Sequence, residues 1–218
     1  MSISERRERE KEQRRNDIIN AAEKVFFSKG KDAATMDDVA EASELSKGTL
    51  YLYFKNKEEL YLAINLRGFK ILSDLFAAAL AKHNTGIEKI RGIGEAYIQF
   101  YKSHPDYFNA LLYFESRDIE AGICSTPDAT IACECHDYGE LTLKLVADAL
   151  DIGMKDGTIR MDIDPMTVAV VLWGQFSGLI QLVALKGEHL KKYHKMNVDK
   201  ILATAFELTF QALKTNNG

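Results

Sequence analysis

The sequence predicts an all-α protein of about nine helices, on three observations. Leucine outnumbers valine 23 to 8 and only 3 prolines fall among 218 residues, so helix formers dominate while strand formers and breakers are scarce. Apolar residues recur at three- and four-residue intervals along most of the chain. Capping residues stand just ahead of those stripes.

The elements follow in chain order. Residues 1–15 are charge-mixed: Arg6, Arg7, Arg9, Lys11, Arg14 and Arg15 stand against Glu5, Glu8, Glu10 and Glu12. Such a lead is either a solvated helix start or a basic arm for a nucleic-acid backbone. Ile18, Ala22, Val25 and Phe26 then mark one face of a first helix, and Gly30 suits its end. Thr35-Met36-Asp37-Asp38 reads as a capping box opening a short helix that closes at Ala42. The turn Ser43-Glu44-Leu45 leads to Ser46, an N-cap for a helix over Lys47–Phe54. Asn56 caps a long helix to about residue 82, with Leu60, Ile64, Ile71, Leu72, Leu75, Phe76 and Leu80 as its apolar stripe. Ile87, Ile90, Ile93, Tyr97 and Tyr101 form the next stripe, which Pro105 ends. A short helix over Tyr107–Phe114, a loop over Ser116–Asp128 and a long helix from about Ala129 to Met154 follow. Asp164-Pro165 is a strong start for a helix to about Leu185. A polar loop over Lys186–Met196 and a last helix over Asn197–Lys214 complete the reading.

Composition narrows the class. Hydrophobic residues at 46% and charged residues at 28% are globular values, which exclude a disordered tail, a collagen-like repeat and a disulfide scaffold. The formal charge of −4 gives no global basic field, so any nucleic-acid surface must be local. The start MSISERRERE has no apolar stretch, so a secretory signal is not expected. The apolar run Met166–Gly174 falls well short of the roughly 18 residues that span a bilayer, so no membrane partner is expected. Three cysteines, an odd number, fit a reducing, cytoplasmic setting.

The segment Thr35–Lys57 carries the functional signal. Short helix, three-residue turn, short helix is the helix-turn-helix pattern. Ala40 is small enough for the crossing of the two helices, and Val39, Leu45 and Leu50 pin them together. Lys47, Thr49, Tyr51 and Tyr53 are left to face outward, and Gly48 lets the backbone come close to a duplex. Thr reads base edges or a thymine methyl, Tyr reaches phosphate and Lys neutralises charge. The same pattern also fits a helix pair whose tyrosines merely pack.

The stretch ATMDDVAEASELSKGTLYLYFKNKEEL, and above all SKGTLYLYFKNKEEL, resembles the DNA-binding signature of the TetR/AcrR family of bacterial transcriptional regulators. The resemblance is sharp over residues 18–64 and weak beyond. It implies that Thr35 caps the second helix and touches phosphate, and that Ser46, Lys47, Gly48, Thr49 and Tyr51 open or line the recognition helix. It further implies that Tyr53 and Lys57 clamp the DNA backbone. The sequence departs from the family at Glu44, where glycine is usual; a positive φ there costs a non-glycine residue on the order of 1 kcal/mol.

By the same resemblance, residues 1–56 form the DNA-binding domain and 57–218 a ligand-binding and dimerisation domain. The last two long helices are then a homodimer interface, with Met166, Val170, Trp173, Leu182, Phe206 and Phe210 as apolar surface, although each of these residues fits internal core equally well. The expected function is a repressor on a palindromic double-stranded DNA operator, released when a small, largely apolar effector binds. Tyr97, Tyr101, Phe108 and Trp173 are candidates for that effector, though aromatics at helical spacing also make plain core. Cys124, Cys133, Cys135 and His136 offer an alternative input, a soft metal or an oxidant, although C-x₂-C zinc spacing is absent and the thiols also fit an incidental role. No nucleophile–base order, Gly-rich phosphate loop or di-iron spacing is visible, so neither catalytic residues nor a cofactor are expected, and an enzyme or carrier is the remotest reading.

Overall fold

The computed structural model describes residues 2–115 and 130–215. Among the described residues there are nine helices: α1 (Ile3–Lys29), α2 (Met36–Ala42), α3 (Lys47–Tyr51), α4 (Lys57–Lys82), α5 (Gly86–Ser103), α6 (Pro105–Glu115), α7 (Thr130–Lys155), α8 (Pro165–His194) and α9 (Val198–Leu213). One isolated antiparallel bridge, Ile159 with Lys214, is the sole extended pairing described. Two compact units form: Met1–Phe69 with Asp106–His136, and Lys70–Pro105 with Asp137–Gly218.

Two element boundaries differ from expectation, while the charged lead is the solvated helix start that its composition allows. The charged lead is helix from Ile3, because Ser2 and Glu5 make a reciprocal capping box and Arg6 pairs with Glu10 one turn on. α3 stops at Tyr51 rather than Phe54. α8 runs on through the expected loop to His194, since Lys191, Lys192 and His194 in its last turn complement the helix dipole and Lys195 closes it in a left-handed conformation.

In the first unit, Ile18, Ala22 and Phe26 of α1 pack with Val39 and Ala40 of α2, Leu50 of α3, Phe54, and Leu60 and Ile64 of α4. A polar brace ties α1 to α4 and α6. The Arg67 guanidinium donates to Asn20 Oδ1 (2.7 Å) and Glu23 Oε1 (2.8 Å), and the Tyr107 hydroxyl donates to the same carboxylate. Burial, followed by that carboxylate, pushes the Tyr107 phenol well above its ordinary range.

In the second unit, α5 and α7 meet through glycines: a Cβ on Gly86 would lie 2.1 Å from the Gly153 nitrogen. Asp156 and Thr158 accept the free N–H groups of Gly86 (2.7 Å) and Ile87 (3.2 Å) at the start of α5. Of the residues that fit an interface or a core equally well, Phe206 and Phe210 lie inward. Phe206 rests against Phe176 (4.6 Å between centroids) and Phe210 is buried, because the stripe of α9 faces α8 and α5. Met166, Val170, Trp173 and Leu182 of α8 are exposed, as are Leu185 and Leu208. By length and composition α8 would pass for a membrane span. Yet Gln175 bonds Thr209, Ser177 bonds Tyr97, and Leu172, Phe176 and Ile180 sit in the core of this unit.

The turn between α2 and α3 is a Schellman motif. Leu45 N–H donates to Ala40 O (2.9 Å) and Glu44 N–H to Glu41 O (3.1 Å). Glu44 is the left-handed residue this requires, with φ of 54°. Its strain predicts that Glu44→Gly raises stability to urea by about 1 kcal/mol, net of the glycine's extra freedom in the unfolded chain. Glu44→Val, β-branched at positive φ, lowers it. Equal midpoints for the three proteins would exclude strain at this position.

Candidate nucleic-acid interface

The start of α2 is fixed by a reciprocal cap. Thr35 Oγ1 accepts from Asp38 N–H (3.2 Å) while Asp38 Oδ2 accepts from Thr35 N–H (2.9 Å). The Lys29 ammonium, 2.7 Å from Asp38 Oδ1, and these Thr35 bonds hold the Asp38 carboxyl at about 2, against its ordinary 3.8. Thr35 itself is exposed.

Five residues cannot nucleate a helix unaided, so α3 depends on its surroundings. Ser46 Oγ accepts from Thr49 N–H (3.1 Å) and bonds the Thr49 hydroxyl (2.9 Å). Leu50 and Phe54 are sealed in the core, and Leu45 packs against it. What remains outside is a continuous face: Ser46, Lys47, Gly48 and Tyr51 are exposed, Tyr51 at 49%, with Thr49 half-buried at its edge. A Cβ on Gly48 would meet only Ser46 Oγ, at 3.9 Å, so backbone can approach here. Lys47 is held over α2 by Asp37 (2.6 Å), which raises its pKa.

Two candidates are placed otherwise than the motif suggests. Tyr53 is half-buried and packs on the core cluster. The Lys57 ammonium donates to three carbonyls of the α1–α2 loop: Lys31 (3.0 Å), Asp32 (3.2 Å) and Ala34 (3.1 Å). An ammonium has three donors, so its hydrogens point into the loop that delivers Thr35. Leu52, 82% exposed directly after Tyr51, is not among the residues that the sequence analysis singles out. The signal was available: Leu50 and Phe54 are four apart on the buried face, which turns residues 51 and 52 outward.

The other candidates scatter. Tyr97, in the second unit, is half-buried, bonds Ser177 Oγ (2.7 Å) and meets the Phe76 ring edge-on. Tyr101 is half-buried and Trp173 exposed in the same unit, while Phe108 is buried in the first. Cys124 lies outside the described residues. Cys133 is half-buried, His136 is exposed, and Cys135 is buried with its Sγ donating to Leu62 O (3.4 Å). No group of three metal-ligating side chains occurs among the described residues.

Two measurements follow. Lys57→Ala strands three carbonyls and should cost about 1–3 kcal/mol in urea unfolding; an unchanged midpoint would mean that the loop does not need the ammonium. The depressed Asp38 carboxyl stabilises the α2 cap above about pH 4, and that contribution is lost as pH falls towards 2. Asp38→Asn should therefore flatten the acid limb of the stability curve in that window, and an unaltered limb would contradict the cap.

Residues 18–64 match the profile of the bacterial regulatory proteins of the tetR family. The chain is 34% identical to the transcriptional activator FasR of Mycolicibacterium smegmatis, over 41% of each chain. The match thus spans less than half of that relative. It is 28% identical to the transcriptional repressor KstR2 of Rhodococcus jostii, over 69% of this chain and 70% of that one. The fold is that of the transcriptional regulator FadR of Bacillus subtilis, solved in complex with stearoyl-CoA, with a TM-score of 0.67 at 16% identity, covering 90% of this chain and 98% of the other. A helix-turn-helix of this construction lies inside the segment, residues 18–64, that matches the tetR family of bacterial regulatory proteins.

Proposed function

We propose that the protein is a homodimeric, non-enzymatic repressor that binds a palindromic operator and leaves it when a small, largely apolar molecule binds beyond the helix-turn-helix. The observation that carries the DNA reading is the outward face of α3, with Lys47, Gly48, Thr49, Tyr51 and Leu52 presented together. Backbone access, a cation, a hydroxyl pair and an apolar tip are what a major groove with flanking phosphates and thymine methyls accepts. Lys57 acts by holding the loop that presents Thr35, and Tyr53 by bracing α3 from behind.

Recognition by so short a helix needs a second copy, with half-sites about one helical turn apart, roughly 34–36 Å. The exposed apolar row on α8, together with Gly174 and Gly178, where an added Cβ would meet nothing within 4 Å, supports helix-to-helix pairing. Repression is the sign of KstR2, and an apolar effector agrees with the stearoyl-CoA in FadR. α4 runs from the first unit into the second, so ligand and DNA share one element. A protein of this kind works in the cytoplasm, without a membrane.

The decisive experiment selects a palindromic fragment from the parent genome and measures its affinity. Thr49→Ala combined with Tyr51→Ala should abolish specific binding and leave the dimer intact in sedimentation; unchanged affinity would end the reading. Gly174→Leu adds a side chain whose Cβ would meet nothing within 4 Å in its own chain, and it favours helix. It should yield a folded monomer with weakened operator binding, whereas a persistent dimer would move the interface elsewhere.

A further inference from the structure

We propose that the first unit carries a small-molecule site of its own, for a compact carboxylate that also bears a hydroxyl or amine donor. A cavity of about 200 Å³ opens there, against the first turns of α4 and the end of α6. Pockets for drug-sized ligands run to roughly 300–1,000 Å³, so this one suits a single-ring or short-chain molecule.

Two polar groups define its chemistry. The Lys31 side chain is only 10% exposed. Its ammonium sits 4.5 Å from the Tyr113 ring centre and 5.2 Å from that of Tyr61, and donates to the Tyr113 hydroxyl (3.1 Å). The carboxylate paired with it, Glu58 at 3.8 Å, is beyond hydrogen-bond length and itself 58% exposed at the rim. Among the described residues, a largely buried cation with three donors is thus offered one hydroxyl and one distant, wet carboxylate. An entering carboxylate fits it better than either.

Asn65 supplies the complement. It is 1% exposed and lines the same cavity. Its Nδ2 donates to Tyr61 O (2.8 Å), which fixes the orientation of the amide. Its Oδ1 is buried and accepts no hydrogen bond from the described residues. Buried acceptors are nearly always satisfied, and an orphan at a cavity wall is met by a donor on whatever enters. Leu62 and the rings of Tyr61, Tyr113 and Phe114 supply apolar walls between the two poles. The site differs in chemistry and in lining residues from the apolar effector site proposed above. The Lys31 carbonyl is also one of the three that Lys57 gathers, so an occupant would bear on the segment leading to Thr35.

Calorimetric titration of the full-length protein, with no DNA present, separates this proposal from the operator reading. The probes are 4-hydroxybenzoate, benzoate and benzamide. Expected are binding of 4-hydroxybenzoate, binding of benzoate weaker by several-fold, and no binding of the uncharged amide. Lys31→Met should lose about tenfold or more for both acids. Asn65→Leu, which removes an unsatisfied acceptor without opening space, should melt no lower than the wild type, keep benzoate and lose the preference for the hydroxyl. Benzamide binding as tightly as benzoate, an unchanged affinity in folded Lys31→Met, or no binding of either acid at millimolar concentration would each overturn the site. The acid-versus-amide comparison needs no variant, so a misfolded mutant does not rescue the idea.

Discussion

The constraint on which the first unit rests is that its third helix is too short to exist alone. Five residues lack the hydrogen bonds to offset nucleation, so the backbone of α3 is held by neighbours. Leu50 and Phe54 are fully buried from one side, Ala40 lets α2 cross closely, and the Ser46 cap and the Schellman turn fix either end. Everything presented to solvent, from Lys47 to Leu52, inherits its direction from those anchors. The strained Glu44 belongs to the same logic: the left-handed residue is demanded by the turn and tolerated because the packing around it is over-determined.

What the sequence makes legible is local. The Thr35 and Ser46 caps and the Asp164-Pro165 helix start are encoded within four residues of themselves, and each is found where the pattern places it. Helix stripes are equally readable, because Ile18, Ala22, Val25 and Phe26 announce a buried face whatever it packs against.

What the sequence hides is partnership across long separations. Phe206 and Phe210 have the periodicity of either a core or an interface, and only the Phe176 contact decides. Lys57 matches a motif position, but its donors are taken by carbonyls 23 to 26 residues earlier, which no spacing rule reveals. The end of α8 looks polar enough for a loop; its closing cations and a left-handed Lys195 let it stay helical. Leu52 is hydrophobic yet exposed, and hydrophobicity alone does not tell a buried leucine from an exposed one.

The convergence of three loop carbonyls on one ammonium has a stereochemical corollary. The tetrahedral head of lysine points its hydrogens in diverging directions, and the peptide oxygens of Lys31, Asp32 and Ala34 curl round it as a coordination shell surrounds an ion. Arginine, though equally positive, offers a flat fork suited to paired oxygens in one plane. Charge conservation alone is therefore not enough at this position. The bend of the polypeptide ahead of the helix-turn-helix is moulded to the shape of its cation, not merely to its sign.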